Sequence, residues 1–138
     1  MFTDAVLSWI ALAVPLLPVG AFVLLGAGVL RWGRPDDRGE RVIAALTGAV
    51  FTLSAAGALV AAGIFFASPH RALVLHRGAW FSAEGYSFDV TFLIDRLSVT
   101  MMVLTSVITG AIGRFSFRYL HREPGFVRFF LLMLLFAA

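Results

Sequence analysis

Two long stretches without any ionisable side chain dominate the first half of this 138-residue sequence. Residues 5–30 and residues 42–69 contain no Asp, Glu, Lys, Arg or His, and they are 26 and 28 residues long. At a rise of about 1.5 Å per residue, each is long enough to cross a hydrocarbon core roughly 30 Å thick. A third stretch, residues 97–113, has 17 residues of the same kind. The sequence therefore predicts an all-α integral membrane protein with three transmembrane helices.

The composition excludes an ordinary soluble domain. Hydrophobic residues make up 60% of the chain and charged residues 14%, against about 45–50% and about 25% in soluble proteins. A soluble fold of this size has too little interior to hide that much apolar surface. The absence of cysteine also excludes disulfides, thiolate nucleophiles and cysteine-ligated iron–sulfur clusters.

The first two predicted helices carry features that indicate helix neighbours. Pro15 and Pro18 lie in the first helix, where proline kinks or locally unwinds the chain unless a neighbouring helix covers the freed carbonyls. A cleaved signal peptide is the alternative for this segment, but no basic stretch precedes it and the apolar run is too long. In the second helix, small residues recur every four positions, which is typical of close helix contact. This helix-packing face comprises Ala44, Gly48, Thr52 and Ala56.

The segment 70–96 differs in character from the helices around it. Apart from Leu93, apolar and polar residues alternate from Tyr86 to Ile94, which is the period of a β-strand, and a four-residue turn, 82–85, precedes them. We predict a β-hairpin that lies on the outer membrane surface, with its aromatic rings at the depth of the lipid headgroups.

Helix boundaries follow from the residues after the hairpin. Asp95 is suited to be the N-cap of the third helix. A fourth apolar stretch starts at Phe126 but contains Arg128, and only ten residues follow that arginine. Because these give about 15 Å of helix, the fourth span is incomplete. We therefore expect the chain to be the front piece of a longer protein, or to be completed by another chain.

The orientation is predicted from the arginines, since cytoplasmic loops carry more positive charge. Segments 31–41 and 114–128 hold four arginines each, segment 70–96 holds three, and none precedes the first helix. The two four-arginine loops are therefore expected in the cytoplasm, with the N-terminus and the hairpin outward.

The residues themselves indicate no catalytic, cofactor-binding or metal site. His70, His76 and His121 lie on separate segments without the spacing that places two metal ligands on one helix face. The three complete spans contain no ionisable group of the kind that ion relays require. We expect no cofactor in this chain and no nucleic-acid partner.

Two motifs carry a resemblance to a known family. The first is an aromatic strand that runs into Asp95, Leu97 and Ser98, and the second is a tyrosine-containing loop that enters the fourth helix. The second motif consists of Tyr119, Glu123, Gly125, Arg128, Phe129 and Phe130. Both resemble the N-terminal part of the antiporter-like large membrane subunit, chain 5, of proton-pumping NADH:quinone oxidoreductase. The subunits of multi-subunit sodium/proton antiporters and of inorganic-carbon-accumulating complexes are similar as well.

The resemblance implies the N-terminal portion of a proton- or cation-translocating subunit in a bacterial-type inner membrane. In these families the relay residues lie on helices after the fourth, so the implied role of this chain is scaffolding. Its implied partners are the lipid bilayer, other membrane subunits and the later helices of its own subunit. Within one membrane domain we separate segment 1–69 with two helices, segment 70–96 with the hairpin, and segment 97–138 with the third and partial fourth helices. A small stand-alone membrane interaction protein is the alternative.

Overall fold

The computed structural model describes residues 2–33, 35–68, 72–83, 86–120 and 123–138. These residues form four helices and two strands in the order α1, α2, β1, β2, α3, α4. Their bounds are Phe2–Trp32 for α1, Asp37–Ala67 for α2, Ala72–Ala83 for β1, Tyr86–Asp95 for β2, Arg96–Tyr119 for α3 and Phe126–Phe136 for α4.

Three of the described helices are long and apolar enough to cross a membrane. The spans are Ala5–Trp32, Asp37–Ala67 and Arg96–Tyr119, and α4 is a shorter apolar helix. Many large apolar side chains on these helices are exposed, among them Leu24 and Leu30 at 76% and 89%. Such surface is stable only against lipid or other protein. The prediction of a mostly helical membrane protein is therefore confirmed.

The polar connections are shorter than the sequence predicted. The segment 31–41 was expected to be a loop, but α1 continues to Trp32 and α2 already begins at Asp37. Asp36 is the N-cap of α2, and its carboxylate accepts a hydrogen bond of 2.9 Å from the Gly39 N–H. Asp37 and Glu40 lie in the first turn, where the helix dipole stabilises negatively charged side chains. Most of this arginine-rich segment is therefore helix.

Pro15 and Pro18 lie inside α1, which continues as one helix through both of them. Proline at position 18 leaves the carbonyl of Val14 without its usual helical donor. The hydroxyl of Ser54 in α2 donates to that carbonyl oxygen at 3.3 Å, in a buried position. The neighbouring helix thus covers a freed carbonyl as predicted, and no local unwinding is present.

Replacing Ser54 with alanine should destabilise the α1–α2 contact by about 1 kcal/mol, because the Val14 carbonyl then lacks a donor in an apolar interior. The measurement is unfolding in lipid micelles titrated with a denaturing detergent. Ser8→Ala is the matched control, since the Ser8 hydroxyl donates to Ala5 within its own helix. Equal stability losses in the two variants would contradict this role of Ser54.

One buried cluster lies where the strands meet the helices. It joins Leu7 of α1, Phe65 of α2, Ile94 of β2 and Val99 of α3, with Ala61 fully buried beside them. The strands pair antiparallel, and Leu73 lies opposite Ile94. The base of the two-stranded sheet is therefore anchored on the ends of three helices.

A second cluster lies at the opposite end of the helices. Ile43 near the start of α2 packs against Phe126 and Phe130 of α4. Leu25 of α1 and Phe117 of α3 pack against the same cluster. The short α4 is therefore held by contacts from all three long helices.

Candidate functional site at the strand-to-helix junction

The junction between β2 and α3 is closed by local hydrogen bonds. The Asp95 carboxylate accepts from the Ser98 N–H at 2.7 Å and from the Ser98 hydroxyl at 2.7 Å. The same hydroxyl lies 3.1 Å from the Leu93 carbonyl oxygen. Asp95 is thus the N-cap of α3, as its sequence context predicted. Leu97, which lies between Asp95 and Ser98 in the chain, is 64% exposed.

The charge on Asp95 is stabilised by its partners. The hydrogen bond from the Ser98 backbone N–H, followed by that from the Ser98 hydroxyl, lowers the pKa of the Asp95 carboxyl below its usual value. Both donors favour the charged form, as at other helix N-termini. The junction is therefore strongest while Asp95 is ionised.

Replacing Asp95 with alanine should lower the free energy of unfolding at neutral pH and have little effect in acid. A carboxyl whose pKa is depressed by folding stabilises the protein above its unfolded-state pKa, and that contribution is lost as pH falls through the folded-state pKa. Unfolding curves between neutral and acidic pH test this, with Asp89→Ala, in the exposed part of β2, as the control. A stability difference independent of pH would contradict the assignment.

The second motif forms the turn into α4. The Glu123 carbonyl accepts from the Phe126 N–H at 3.0 Å, and the Gly125 carbonyl accepts from the Phe129 N–H at 2.9 Å. Phe130 is 2% exposed, and its ring lies 4.8 Å from that of Phe126. In contrast, Tyr119 is 72% exposed and Arg128 is also exposed. This motif therefore builds the helix entry and leaves a tyrosine and an arginine at the surface.

The predicted small-residue face is not the face that packs within the chain. Gly48, Thr52 and Ala56 are exposed and Ala44 is half-buried. The buried side of α2 runs instead through Ile43, Thr47, Phe51, Ser54, Ala58, Ala61 and Phe65. The face thus stays available to neighbours outside the chain.

Two glycines bring the helices together, and the sequence pattern indicated only one of them, Gly57. A Cβ at Gly57 would lie 3.1 Å from Val14 Cγ2, and one at Gly113 would lie 2.9 Å from the ring of Phe51. Gly57 follows directly after the small-residue face, so spacing drew attention to the region. No sequence signal paired Gly113 with Phe51.

The described residues contain no cluster of metal-ligating side chains. Among them, no group of three or more His, Cys, Asp or Glu side chains could hold a metal ion. Nδ1 of His76 lies 3.2 Å from the Thr91 hydroxyl across the strands, whereas His70 and His121 lie outside the described residues.

A protein-family comparison matches the region that contains both motifs. Residues 80–130 match the family described as the N-terminus of chain 5 of NADH-ubiquinone oxidoreductase, complex I. The matched region runs from β1 through the Asp95 junction and α3 to Phe130 of α4.

Curated relatives extend the similarity over most of the chain. NAD(P)H-quinone oxidoreductase chain 5 of Synechocystis sp. is 26% identical over 96% of this chain and 19% of its own length. The chloroplastic subunit 5 of Nephroselmis olivacea is 27% identical over 89% of this chain and 19% of its own. NADH-ubiquinone oxidoreductase chain 5 of Debaryomyces hansenii is 29% identical over 53% of this chain and 12% of its own.

The chain spans about a fifth of the length of the first two relatives. The matched motifs are those on which the sequence resemblance rested. The comparisons thus confirm that resemblance, and the chain is similar to the N-terminal part of the chain 5 subunit of NADH:quinone oxidoreductases.

Proposed function

We propose that this chain is the N-terminal portion of a proton- or cation-translocating antiporter-like subunit in an NADH:quinone oxidoreductase-type membrane complex. Its role there is scaffolding, and it carries no cofactor and no ion relay of its own. The observation that supports this most directly is the match of residues 80–130 to the chain 5 family, across both motifs. The absence of ionisable groups from residues 5–30, 42–69 and 97–113 is consistent with a supporting role.

The proposal includes an orientation in a bacterial-type inner membrane. The N-terminus and the two-stranded sheet face outward, and the arginine-rich segments 31–41 and 114–128 face the cytoplasm. The arginine distribution supports this arrangement. Trp80 and Tyr86, at 85% and 77% exposure, are then available to headgroups or to outward loops of neighbouring subunits.

The partners in this proposal are lipid, other membrane subunits and later helices of the same subunit. The small-residue face of Ala44, Gly48, Thr52 and Ala56 is the surface on which neighbouring helices pack. Its exposure within the chain supports that assignment, because small side chains allow helix backbones to approach closely.

Replacing Gly48 with leucine should lower the yield of the assembled complex severalfold, because the larger side chain holds a neighbouring helix away. The measurement is the amount of this chain in the complex on native gels of solubilised source membranes. Leu53→Trp is the control, since Leu53 is also exposed on α2 but lies about 140° around the helix from Gly48. An unchanged yield for Gly48→Leu would count against this interface. Absence of the wild-type chain from any NADH-oxidising complex would overturn the proposed function itself.

A further inference from the structure

A groove of about 560 Å³ runs between α2 and α3 and opens at the surface of the helix bundle. Its walls include Ala44 and Gly48 of α2 and Gly110 and Ala111 of α3. From Arg41 to Ala55 the groove extends along 15 residues of α2, or about 21 Å along the helix axis. It is therefore long enough to receive several turns of another helix.

One end of the groove carries two positive charges. Arg41 lies in the second turn of α2 and Arg114 near the end of α3, and both line the groove. The two helices run in opposite directions, so both arginines lie at the α4 end of the bundle. Both are exposed, and Nε of Arg41 donates to the Asp37 carbonyl at 3.2 Å. The rest of the lining is mainly apolar.

We infer that this groove receives one transmembrane helix from a neighbouring segment or subunit, and that this helix carries an Asp or Glu at the level of Arg41 and Arg114. The inference rests on the proposed function and names the chemistry of the partner at the same face. Two guanidinium groups beside an apolar groove are satisfied by a carboxylate that accepts from both. A carboxylate beside these apolar walls needs such a partner, because an unpaired charge is disfavoured where apolar side chains exclude water.

The walls favour a helix over a lipid chain. Small residues on both sides let a helix backbone approach closely. An acyl chain gains nothing from that approach, because it packs equally well on surfaces of leucine. A lipid phosphate at the two arginines is nevertheless the competing occupant, and the experiment separates the two.

The test uses photocrosslinking in native source membranes before any solubilisation. A photoreactive benzoylphenylalanine replaces Ala111 inside the groove or, as the matched control, the exposed Ile112 beside it, which does not line the groove. The expected product at position 111 is a peptide from another membrane span with an Asp or Glu near its cytoplasmic end, and position 112 does not give it. Crosslinks to lipid alone, or to a span without a carboxylate there, would overturn the inference.

A charge exchange tests the arginine contact. Arg114→Glu should reduce the position-111 crosslink at least tenfold, and exchanging the identified carboxylate for arginine should restore it. Arg114→Gln provides a milder second variant, and Arg118→Glu, one turn further along α3, should leave the crosslink unchanged. An undiminished crosslink in both Arg114 variants would refute the assignment.

The two proposals fail in distinguishable ways. If the crosslinked span belongs to a protein outside an NADH:quinone oxidoreductase, the proposed function fails while the groove assignment stands. If the chain is found in that complex but its groove holds only lipid, the groove assignment fails while the proposed function stands.

Discussion

Leucine at position 113 should disrupt the packing of α3 on α2. A Cβ at Gly113 lies 2.9 Å from two ring atoms of Phe51, and Phe51 is only 3% exposed, so its ring has little room to move. Overfilling a packed site of this kind costs about 1–3 kcal/mol. The expected result is a lower detergent concentration at the unfolding midpoint in lipid micelles.

The control for this prediction is Gly63→Leu. No atom lies within 4 Å of a Cβ at Gly63, and the residue is exposed. Both substitutions gain about the same helix propensity, up to roughly 1 kcal/mol, so the difference between them reports the clash. If Gly113→Leu is as stable as Gly63→Leu, the close α2–α3 contact is not required for folding.

Alanine at position 130 should release α4 from the long helices. Phe130 is 2% exposed and packs with Phe126 and Ile43, and its ring lies 5.5 Å from that of Phe129. Phe→Ala costs about 3–5 kcal/mol in a soluble core. Lipid solvates apolar groups about as well as a protein interior, so we expect about 2 kcal/mol here, mainly from lost packing.

The release of α4 is measurable by cysteine labelling, because the chain has no native cysteine. A cysteine introduced at Leu134, which is fully buried, should react severalfold faster with a thiol reagent in the Phe130→Ala background. Phe136→Ala is the matched control, since Phe136 lies on the same helix and is 80% exposed. Equal labelling rates of the introduced cysteine in the Phe130→Ala and Phe136→Ala variants would contradict the role of Phe130 in holding α4.

The long helices could be predicted from the sequence because bilayer thickness imposes a simple rule on chain composition. A run of 26 or 28 residues without charge has few alternatives to a spanning helix. The helix ends were less predictable. Arginines suggested a loop at 31–41, but the Asp36 cap and the acidic first turn extend α2 into that segment. The start of α2 is therefore set by the hydrogen bond of the Asp36 cap and not by the number of charged residues in the segment.

Some features of the candidate site were likewise predictable from the sequence, and others were not. The Asp95 cap was predictable because its carboxylate bonds to Ser98, three residues away, and such local geometry is encoded in adjacent residues. The groove between α2 and α3 was not predictable, because Arg41 and Arg114 are 73 positions apart and line the same groove only when the helices pack antiparallel.

The sequence alone determined the membrane environment, the spanning segments and the family resemblance, since each depends on composition or on residues close together in the chain. Tertiary structure decided which helix faces meet. Ser54 covers the carbonyl that Pro18 frees, and Phe51 fills the space beside Gly113. Contacts of this kind depend on the rotation and depth of each helix relative to its neighbour. Those quantities are set by packing of shapes across helices, and a one-dimensional pattern of small and apolar residues does not specify them.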